Sequence, residues 1–542
     1  MKTLHKKETL FALKGLSVLV VMLLLSGSFF TLQAHSKEMR ISPLRFAGVH
    51  SLGVQPGQSE AYMVLHSASA GNWNFHLLDK ELNELMEGVV EAPRYSFFNE
   101  MTFDGEHILM SFVVNAFTPS ITYVVLDALG NEVARTTRTD APMLRRGDRF
   151  FPSVYGHPEG GFILVQATGG GRRAGYTVEY ADHQLNTQWS LDFKGDKGTV
   201  HVYDMMLAGD RLYILEATER LGNTLNARLH CLSLSDAAHT YTMELTDNDY
   251  TYFPTAILPV ENNRIALAGT YFSGDKIRQR SSGGLFFLFV EEDGGTAGME
   301  VHPWRGLRPT LRTSVPDWFF KLMPEVYIHA LEIMPDGSFT AVAELYRYSG
   351  EVRREERDGL KEQYHRIRML DFMLINFNSN GSIAYTERIE RPHMVLKLDS
   401  EFSSSGSLAE NAGSGPLRRA RAMKKAGAFT YRFHQMTDEG FKLAFMSYEN
   451  KTHYAYLMDI QSKNSVKLDL RHAKPSIISY LQLIDLCANQ SGFGFILTEL
   501  NTRSFDDSEA FWRGLLPAGN NNMLTYEYRL LGGTLSLKLT EL

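Results

Sequence analysis

The chain has 542 residues, of which 44% are hydrophobic and 22% charged, as is ordinary for a globular protein. Its formal net charge is −7, and we expect no nucleic-acid partner. Two cysteines, Cys231 and Cys487, are too few for a disulfide framework. Both fall in predicted strands of distant repeat units, so we expect two buried free thiols.

The N-terminal segment has the features of a secretory signal peptide. The apolar run Leu16–Leu25 follows four lysines, and Leu32-Gln33-Ala34 resembles a small-residue cleavage site. We therefore expect removal of residues 1–34, with His35 as the first residue of the mature protein. A membrane-spanning helix needs about 20 apolar residues, twice the length of this run, so we expect no transmembrane span in the mature chain. The predicted location is periplasmic, extracellular or at the cell surface.

Eight similar hairpin motifs follow along the rest of the chain. Each consists of a β-type run, a tight turn rich in Asp, Asn, Ser or Gly, and a second β-type run. The motifs are centred on Phe75–Leu85, Tyr123–Val133, Val178–Leu191, Cys231–Leu245, Phe287–Val301, Leu374–Ile389, Leu457–Leu470 and Tyr526–Leu539. A unit of about 50 residues built from short strands predicts a repeat architecture.

The third unit shows how the strands are assigned. Its predicted strands, named A to D in chain order, are Phe151–His157, Phe162–Ala167, Tyr176–Ala181 and Thr187–Phe193. Such runs are short, apolar or alternating, and bounded by Gly, which favours strands over helices. The same assignment gives eight units that start near Leu44, and the last unit ends in a strand at the C-terminus.

This repeat resembles that of β-propeller proteins, in which each unit forms one four-stranded blade. The resemblance covers nearly all of residues 35–542, points to no particular family, and implies a single all-β domain of eight blades. Seven blades with an irregular element are the alternative, because insertions lengthen the later units at 302–325, 347–368, 391–427 and 501–522. A propeller hosts unrelated functions, so the fold alone assigns none.

The long connections are predicted to lie on one face of the disc. Successive strands of a blade are antiparallel, so A–B and C–D turns share one face, and B–C and D–A connections share the other. The long segments all belong to the second group: Gly169–Gly175, Ser273–Gly284, Arg347–Arg368, Asn501–Asn522, His302–Glu325 and Arg391–Gly427. They carry a net charge of +11, whereas the rest of the mature chain carries −21. A basic face on an acidic body attracts anionic ligands.

The candidate ligand-binding residues come from these segments: Arg172, Arg173, Trp304, Arg305, Trp318, Arg418, Arg419 and Arg421. Exposed Trp beside Arg is a common platform for stacking on sugars or peptide side chains. In the alternative interpretation, the Trp rings fill the gap between units five and six, and the arginines belong to solvated, mobile charge runs.

Histidines occur in several predicted A strands, which are the innermost strands of a propeller: His50, His201, His329 and His434. Facing the central channel, they would bind metal or act in acid–base catalysis. No HxH or HExxH spacing accompanies them, and the G-x-S-x-G, CxxC and EF-hand patterns are missing. We therefore expect no metal, no cofactor and no catalytic residue. The echo between His50-Ser51-Leu52 and His329-Ala330-Leu331 supports the repeat.

Two functions fit these features, and a structural subunit of an envelope complex is an alternative to the first of them. The first is an exported, non-catalytic propeller that binds an anionic glycan or an unknown protein partner through its long-loop face. The second is an extracellular glycan hydrolase or lyase with its site at the mouth of the channel. Hydrolysis of a glycan needs paired carboxylates about 5–10 Å apart, a distance that only a structure supplies.

Overall fold

Eight antiparallel sheets, seven of four strands and one with a fifth strand added, are arranged as the blades of a propeller in this protein, whose structure is a computed structural model. The structure describes residues 36–41, 45–53, 61–69, 71–94, 96–114, 120–139, 153–157, 160–168, 175–194, 199–220, 223–235, 238–274, 282–311, 325–353, 363–399, 420, 423, 429–437, 440–449, 452–472, 511–518, 522–529 and 533–541. In these ranges, no helix is long and apolar enough to cross a membrane. The predicted signal peptide lies outside them.

The first four blades follow one another along the chain, each with strands A to D in order. Blade 1 contains β2 (Arg45–Leu52), β3 (Ala61–Ser69), β4 (Asn72–Asp79) and β5 (Glu84–Glu91). Blade 2 contains β6 (Phe97–Phe103), β7 (Ile108–Val114), β8 (Ser120–Leu126) and β9 (Glu132–Arg138). Blade 3 contains β10 (Ser153–Gly156), β11 (Phe162–Thr168), β12 (Gly175–Ala181) and β13 (Thr187–Phe193). Blade 4 contains β14 (Thr199–Ala208), β15 (Arg211–Arg220), β16 (Asn223–Ser233) and β17 (His239–Glu244).

Blades 5 to 8 carry the additions to this plan. Blade 5 contains β18 (Tyr250–Val260), β19 (Arg264–Ser273), β20 (Gly284–Val290) and β21 (Thr296–Pro303), followed by helix α1 (Trp304–Leu311). Blade 6 contains β22 (Glu325–Ile333), β23 (Phe339–Arg353), β24 (Gln363–Phe377), β25 (Ile383–Ile389) and an extra strand, β26 (Met394–Asp399). Blade 7 contains β27 (Tyr431–Thr437), β28 (Gly440–Glu449), β29 (Thr452–Asp459) and β30 (Ser465–His472). Blade 8 contains β31 (Phe511–Pro517), β32 (Asn522–Arg529), β33 (Thr534–Glu541) and β1 (Ser36–Arg40).

The ring is closed by the two ends of the described chain. Strand β1 pairs antiparallel with β33, from Ser36 opposite Lys538 to Arg40 opposite Thr534, and so supplies the outer strand of blade 8. The eight-blade prediction is confirmed, but the assignment within the last unit is wrong. Its hairpin joins strands B and C, and the predicted loop Asn501–Asn522 contains strand A. The reason is the closure itself, because a unit that borrows its fourth strand needs only three at the C-terminus.

Each gap between neighbouring blades holds its own apolar core. Between blades 2 and 3, for example, Tyr123 and Leu164 are fully buried in one cluster with Leu185. Strands B and C are covered on both faces by neighbouring blades, so β20 is buried along its whole length, whereas no residue of the outer strand β21 is fully buried. Cys231 in β16 is buried and unpaired, as predicted, and Cys487 lies outside the described residues.

The C–D turns of blades 1 to 3 share the sequence Asp-x-x-x-Asn. In blade 1, Oδ1 of Asp79 accepts the backbone N–H groups of Glu81 (2.9 Å) and Asn83 (2.7 Å), which closes the turn. The fourth residue of this turn, Leu82, adopts a positive φ of 68°, and its side chain is buried in the gap toward blade 8. Blade 3 repeats this with Leu185, so apolar burial offsets the backbone strain at these positions.

A β-bulge recurs in six of the A strands, each time leaving one residue without a partner in strand B. The bulged residues are Ala47, Asn99, Tyr203, Thr255, His329 and Arg432. This register places the A-strand histidines at different levels, since His329 is itself the bulge whereas His50 lies three residues beyond one. The echo between these two segments is therefore not a structural equivalence.

Candidate functional site

Blade 6 is extended on the long-loop face. Its strands β23 and β24 each have 15 residues and continue past the blade, where β26 pairs with β24 from Tyr364 opposite Asp399 to Met369 opposite Met394. The predicted loop Arg347–Arg368 is thus largely a strand pair, because its two sides are held in an antiparallel ladder. Residues 354–362 of that segment lie outside the described residues.

One surface of this extension carries three arginines. Along β24, Arg366 and Arg368 are exposed while Ile367 and Met369 are fully buried, as the alternation of a strand requires. Arg347 of β23 lies directly opposite Arg368 and is half-buried. Within the described ranges, no hydrogen bond or ion pair involves any of these three guanidinium groups. We call Arg347, Arg366 and Arg368 the arginine face.

The opposite surface of the extension is packed against its own small core. Tyr346, Ile367 and Met369 cluster there with other buried apolar side chains, namely Tyr327, Met394, Ala420, Met423 and Phe429. Ala420 and Met423 belong to the predicted insertion 391–427 and are 6% and 0% exposed. The arginine face therefore stands on a packed sheet and not on a free loop.

A single buried carboxylate holds both ends of the segment that joins blades 6 and 7. Glu344 of β23 accepts hydrogen bonds from Arg391 Nη2 (2.6 Å), at the start of that segment, and from Thr430 Oγ1 (2.6 Å), at its end. His329 Nε2 lies 3.0 Å from the same carboxylate. Arg391 also donates to the Leu370 carbonyl, and its guanidinium carbon lies 4.4 Å from the centre of the Phe372 ring.

The electrostatics of Glu344 follow from these partners. Burial alone would raise the pKa of the carboxyl, because it penalises the charged form. The charge of Arg391 and the hydrogen bonds from His329 and Thr430 outweigh burial and lower the pKa to about 2. Glu344 is therefore ionised at neutral pH and serves as a fixed anchor, not as a proton donor.

A second polar chain lies beside this anchor, on the A strands of blades 6 and 7. The ring of Tyr431 stacks on His329 with centroids 4.5 Å apart, and its hydroxyl lies 2.7 Å from His434 Nδ1. His434 Nε2 lies 3.0 Å from Glu332, whose side chain is 30% exposed. With the Nε2 proton directed to the carboxylate, Nδ1 accepts the phenol proton. This carboxylate–imidazole–phenol chain has the parts of an acid–base relay.

Of the candidate binding residues chosen from sequence, the described structure contains two. Trp304 begins α1, is 9% exposed, and packs with residues of blades 5 and 6, with its indole N–H 3.2 Å from Ser282 Oγ. Arg305 follows it and is exposed. The remaining candidates lie outside the described residues: Arg172, Arg173, Trp318, Arg418, Arg419 and Arg421.

The sequence contained signals for the groups that were missed. Arg366 and Arg368 alternate with Ile367 and Met369, which is the pattern of a half-buried strand at the end of the predicted loop Arg347–Arg368. Glu344 is the single charge within residues 339–346 of β23, which are otherwise largely apolar, and this indicates a buried partner. That partner, Arg391, is 47 residues away, so only the fold identifies it.

Residues 67–458 match a family of unknown function, DUF6770. The chain belongs to this family. The match includes the blade 6 extension, the Glu344 anchor and the relay residues of this DUF6770 protein. No curated protein matches the chain by sequence.

Solved structures similar to this DUF6770 protein share only low identity with it. The polysaccharide lyase Uly1 is 8% identical over 93% of this chain and 99% of its own, with a TM-score of 0.38. A structure from a study of two prolyl endopeptidases is 10% identical over 90% of this chain and 55% of its own, with a TM-score of 0.39. A quinoprotein alcohol dehydrogenase-like protein from Bacteroides thetaiotaomicron is 12% identical over 68% of this chain and 70% of its own, with a TM-score of 0.29.

Proposed function

We propose that this protein is an exported binding propeller whose arginine face on blade 6 takes an anionic glycan bearing carboxylate or sulfate groups. Guanidinium groups suit such a ligand because their planar donors match the paired oxygens of these anions. The ligand would span the exposed surface of β23 and β24 and neutralise more than one arginine at once.

The observation that carries this proposal is the cross-strand pair Arg347 and Arg368. Like charges directly opposite each other in a sheet destabilise it, and within the described ranges no carboxylate compensates this pair. An anionic ligand would remove that repulsion on binding. The charge of the face as a whole agrees, because the long segments carry +11 and the rest of the mature chain −21. Such a distribution steers anions to one side of the molecule.

A binding array of glycans and polyanions, probed with protein that begins at His35, tests this function. We expect binding to carboxylated or sulfated glycans that weakens as salt is raised. The double variant Arg366→Gln/Arg368→Gln should lose that binding, whereas Arg40→Gln, an exposed arginine on the outer strand of blade 8, should retain it. If the protein bound nothing on the array, the proposal of a glycan ligand would be contradicted, and the search would turn to an acidic protein partner.

Export is part of the same proposal and is tested separately. Expression of the full chain in a bacterial host, followed by N-terminal sequencing of the secreted or periplasmic fraction, should give a protein that starts at His35. A chain that remains in the cytoplasm with residues 1–34 attached would contradict export.

A second candidate function, glycan cleavage at the channel mouth, is favoured by the chain Glu332–His434–Tyr431. A tyrosine whose proton can pass to a histidine is able to act as base and then as acid on a sugar carbon and a leaving oxygen. Turnover of any glycan that disappears in Tyr431→Phe, with unchanged binding on the array, would support this activity. No turnover across a broad glycan panel would count against it.

A further inference from the structure

We propose that Asp104, His107 and His183 form a site for a divalent transition-metal ion of the zinc type, between blades 2 and 3. Asp104 and His107 belong to the A–B turn of blade 2, and His183 to the C–D turn of blade 3. Both turns lie on the face opposite the arginine face, so the site is independent of the proposed glycan binding. We call these three residues the turn-face site.

The three side chains converge on one small volume. Oδ2 of Asp104 lies 2.6 Å from Nε2 of His183, and the rings of His107 and His183 stack with centroids 3.9 Å apart. One possible ligand atom from each residue lies within 4.8 Å of the others. The ligands come from two blades, so an ion bound there would link them.

Asp104 is held in place by the backbone. Its side chain is completely buried, and its other oxygen, Oδ1, accepts the N–H groups of Glu106 (2.9 Å) and His107 (2.8 Å). Those bonds fix the carboxylate plane and turn Oδ2 toward His183. Supporting hydrogen bonds of this kind orient carboxylate ligands in metal sites.

The balance of donors and acceptors at this point depends on which nitrogen of His183 carries the proton. The backbone N–H of Gly161 is directed at both Asp104 Oδ2 (3.0 Å) and His183 Nε2 (2.9 Å). When Nε2 accepts that N–H, its lone pair and the carboxylate face each other at 2.6 Å and need a cation between or beside them. Independently, Nδ1 of His107 is buried and has no hydrogen-bond partner in the described structure.

Two imidazoles and a carboxylate are one of the ligand sets that hold zinc where thiolates are absent. The His107 and His183 rings are nearly parallel, 27° apart, so both reach one ion only if His107 turns about its Cβ–Cγ bond. No hydrogen bond from its Nδ1 has to break for that turn. Three protein ligands leave the fourth tetrahedral position to water.

Without a metal, Nε2 of His183 would carry a proton and donate it in a hydrogen bond to Asp104. The two interpretations differ in what they require of His107. A proton-mediated pair leaves this residue as a stacked neighbour, whereas a metal site requires it as a ligand.

Zinc titration of the chelator-treated mature protein, followed by calorimetry and thermal unfolding, distinguishes them. We expect one Zn²⁺ bound per chain, a Tm that rises by about 2 °C or more with saturating Zn²⁺, and a visible Co²⁺ spectrum of tetrahedral type. His107→Gln and His183→Gln should each weaken Zn²⁺ binding at least tenfold. In His107→Gln, the Tm of the zinc-free protein should stay unchanged, since the Asp104–His183 contact remains.

The matched control is His76→Gln. His76 forms, with Glu84 and Glu87, the other group of three possible ligands found among the described residues, and those two carboxylates are more exposed. Zinc binding that persists in His107→Gln and disappears in His76→Gln would overturn the proposal. Absence of stoichiometric binding by the wild type would do the same.

Discussion

Glu344 and Arg391 form a fully buried ion pair, with 2.6 Å between Oε1 and Nη2, at the point where the chain leaves blade 6. The same carboxylate accepts the hydroxyl and the backbone N–H of Thr430, where the chain re-enters blade 7. One side chain thus closes the segment that carries β26 and supports the arginine face. The position of that face depends on a contact that lies beneath it.

Replacing Glu344 with Gln should therefore destabilise the protein strongly. The change leaves the Arg391 guanidinium buried without its counter-charge, and breaking a buried pair in this way costs about 3 kcal/mol or more. Urea denaturation measures the loss. As a control, Glu244→Gln breaks the exposed pair with Arg228, whose side chains are 40–50% exposed, and should cost less than about 1 kcal/mol. Equal effects of the two changes would contradict the anchor role.

The substitution Arg368→Thr should instead stabilise the protein. It removes the repulsion with Arg347 and introduces a β-branched residue on an exposed strand, so we expect a gain of about 0.5 kcal/mol in unfolding free energy. The control Arg135→Thr removes an arginine paired with Glu132 and should lower stability slightly. A loss of more than about 1 kcal/mol in Arg368→Thr would show that the arginine has a structural partner.

Stability should fall between neutral pH and pH 4 because of two histidines, His50 and His66. Burial lowers the pKa of His50 from 6.5 to about 4, and burial together with the charge of His76 does the same for His66. Between pH 6.5 and 4 the unfolded chain therefore binds more protons, so the stability that is full above 6.5 declines as pH decreases. Urea denaturation from pH 7.5 to 4.5 measures the slope, and His50→Leu should make it shallower. A parallel slope in the variant would contradict the assignment.

A side chain at Gly130 should destabilise the protein, although blades 1 and 3 have leucine at the same turn position. Its φ is 69°, and an added Cβ would lie 2.7 Å from Met86 and 2.8 Å from Phe75 of blade 1. We expect Gly130→Ala to lower the unfolding free energy by about 2 kcal/mol. Gly209→Ala, at a φ of 58° with nothing within 4 Å, isolates the backbone cost and should be milder. Equal losses of unfolding free energy in the two variants would show that contact with Phe75 and Met86 does not determine the cost at Gly130.

The features that sequence predicts well here are local ones. The turns at Asp79, Asp127 and Asp182 and the alternation of the flanking strands lie within a few residues, so the blades could be predicted from sequence, with a count of eight preferred and seven as the alternative. The pairing of β1 with β33 that closes the ring could not be predicted, because the two strands lie at opposite ends of the chain and β1 alone is a short, polar strand.

The candidate site was only partly predictable for the same reason. Charge counting located the basic face, but the strand pairing that places Arg347 opposite Arg368 depends on a bulged ladder between β23 and β24. Glu344 contacts Arg391, 47 residues away, and Thr430, 86 residues away. The local sequence around each of these residues does not identify its partners. Long-range polar networks of this kind are determined by the packed fold.

The most direct test of the arginine face is the salt dependence of binding to a sulfated glycan such as heparin. The wild type should bind, with an affinity that falls as ionic strength rises from low to physiological values. The triple variant Arg347→Gln/Arg366→Gln/Arg368→Gln should bind at least tenfold more weakly and with a flatter salt dependence. The account would be contradicted if the triple variant bound heparin as tightly as the wild type does, or if the wild type did not bind heparin at low salt.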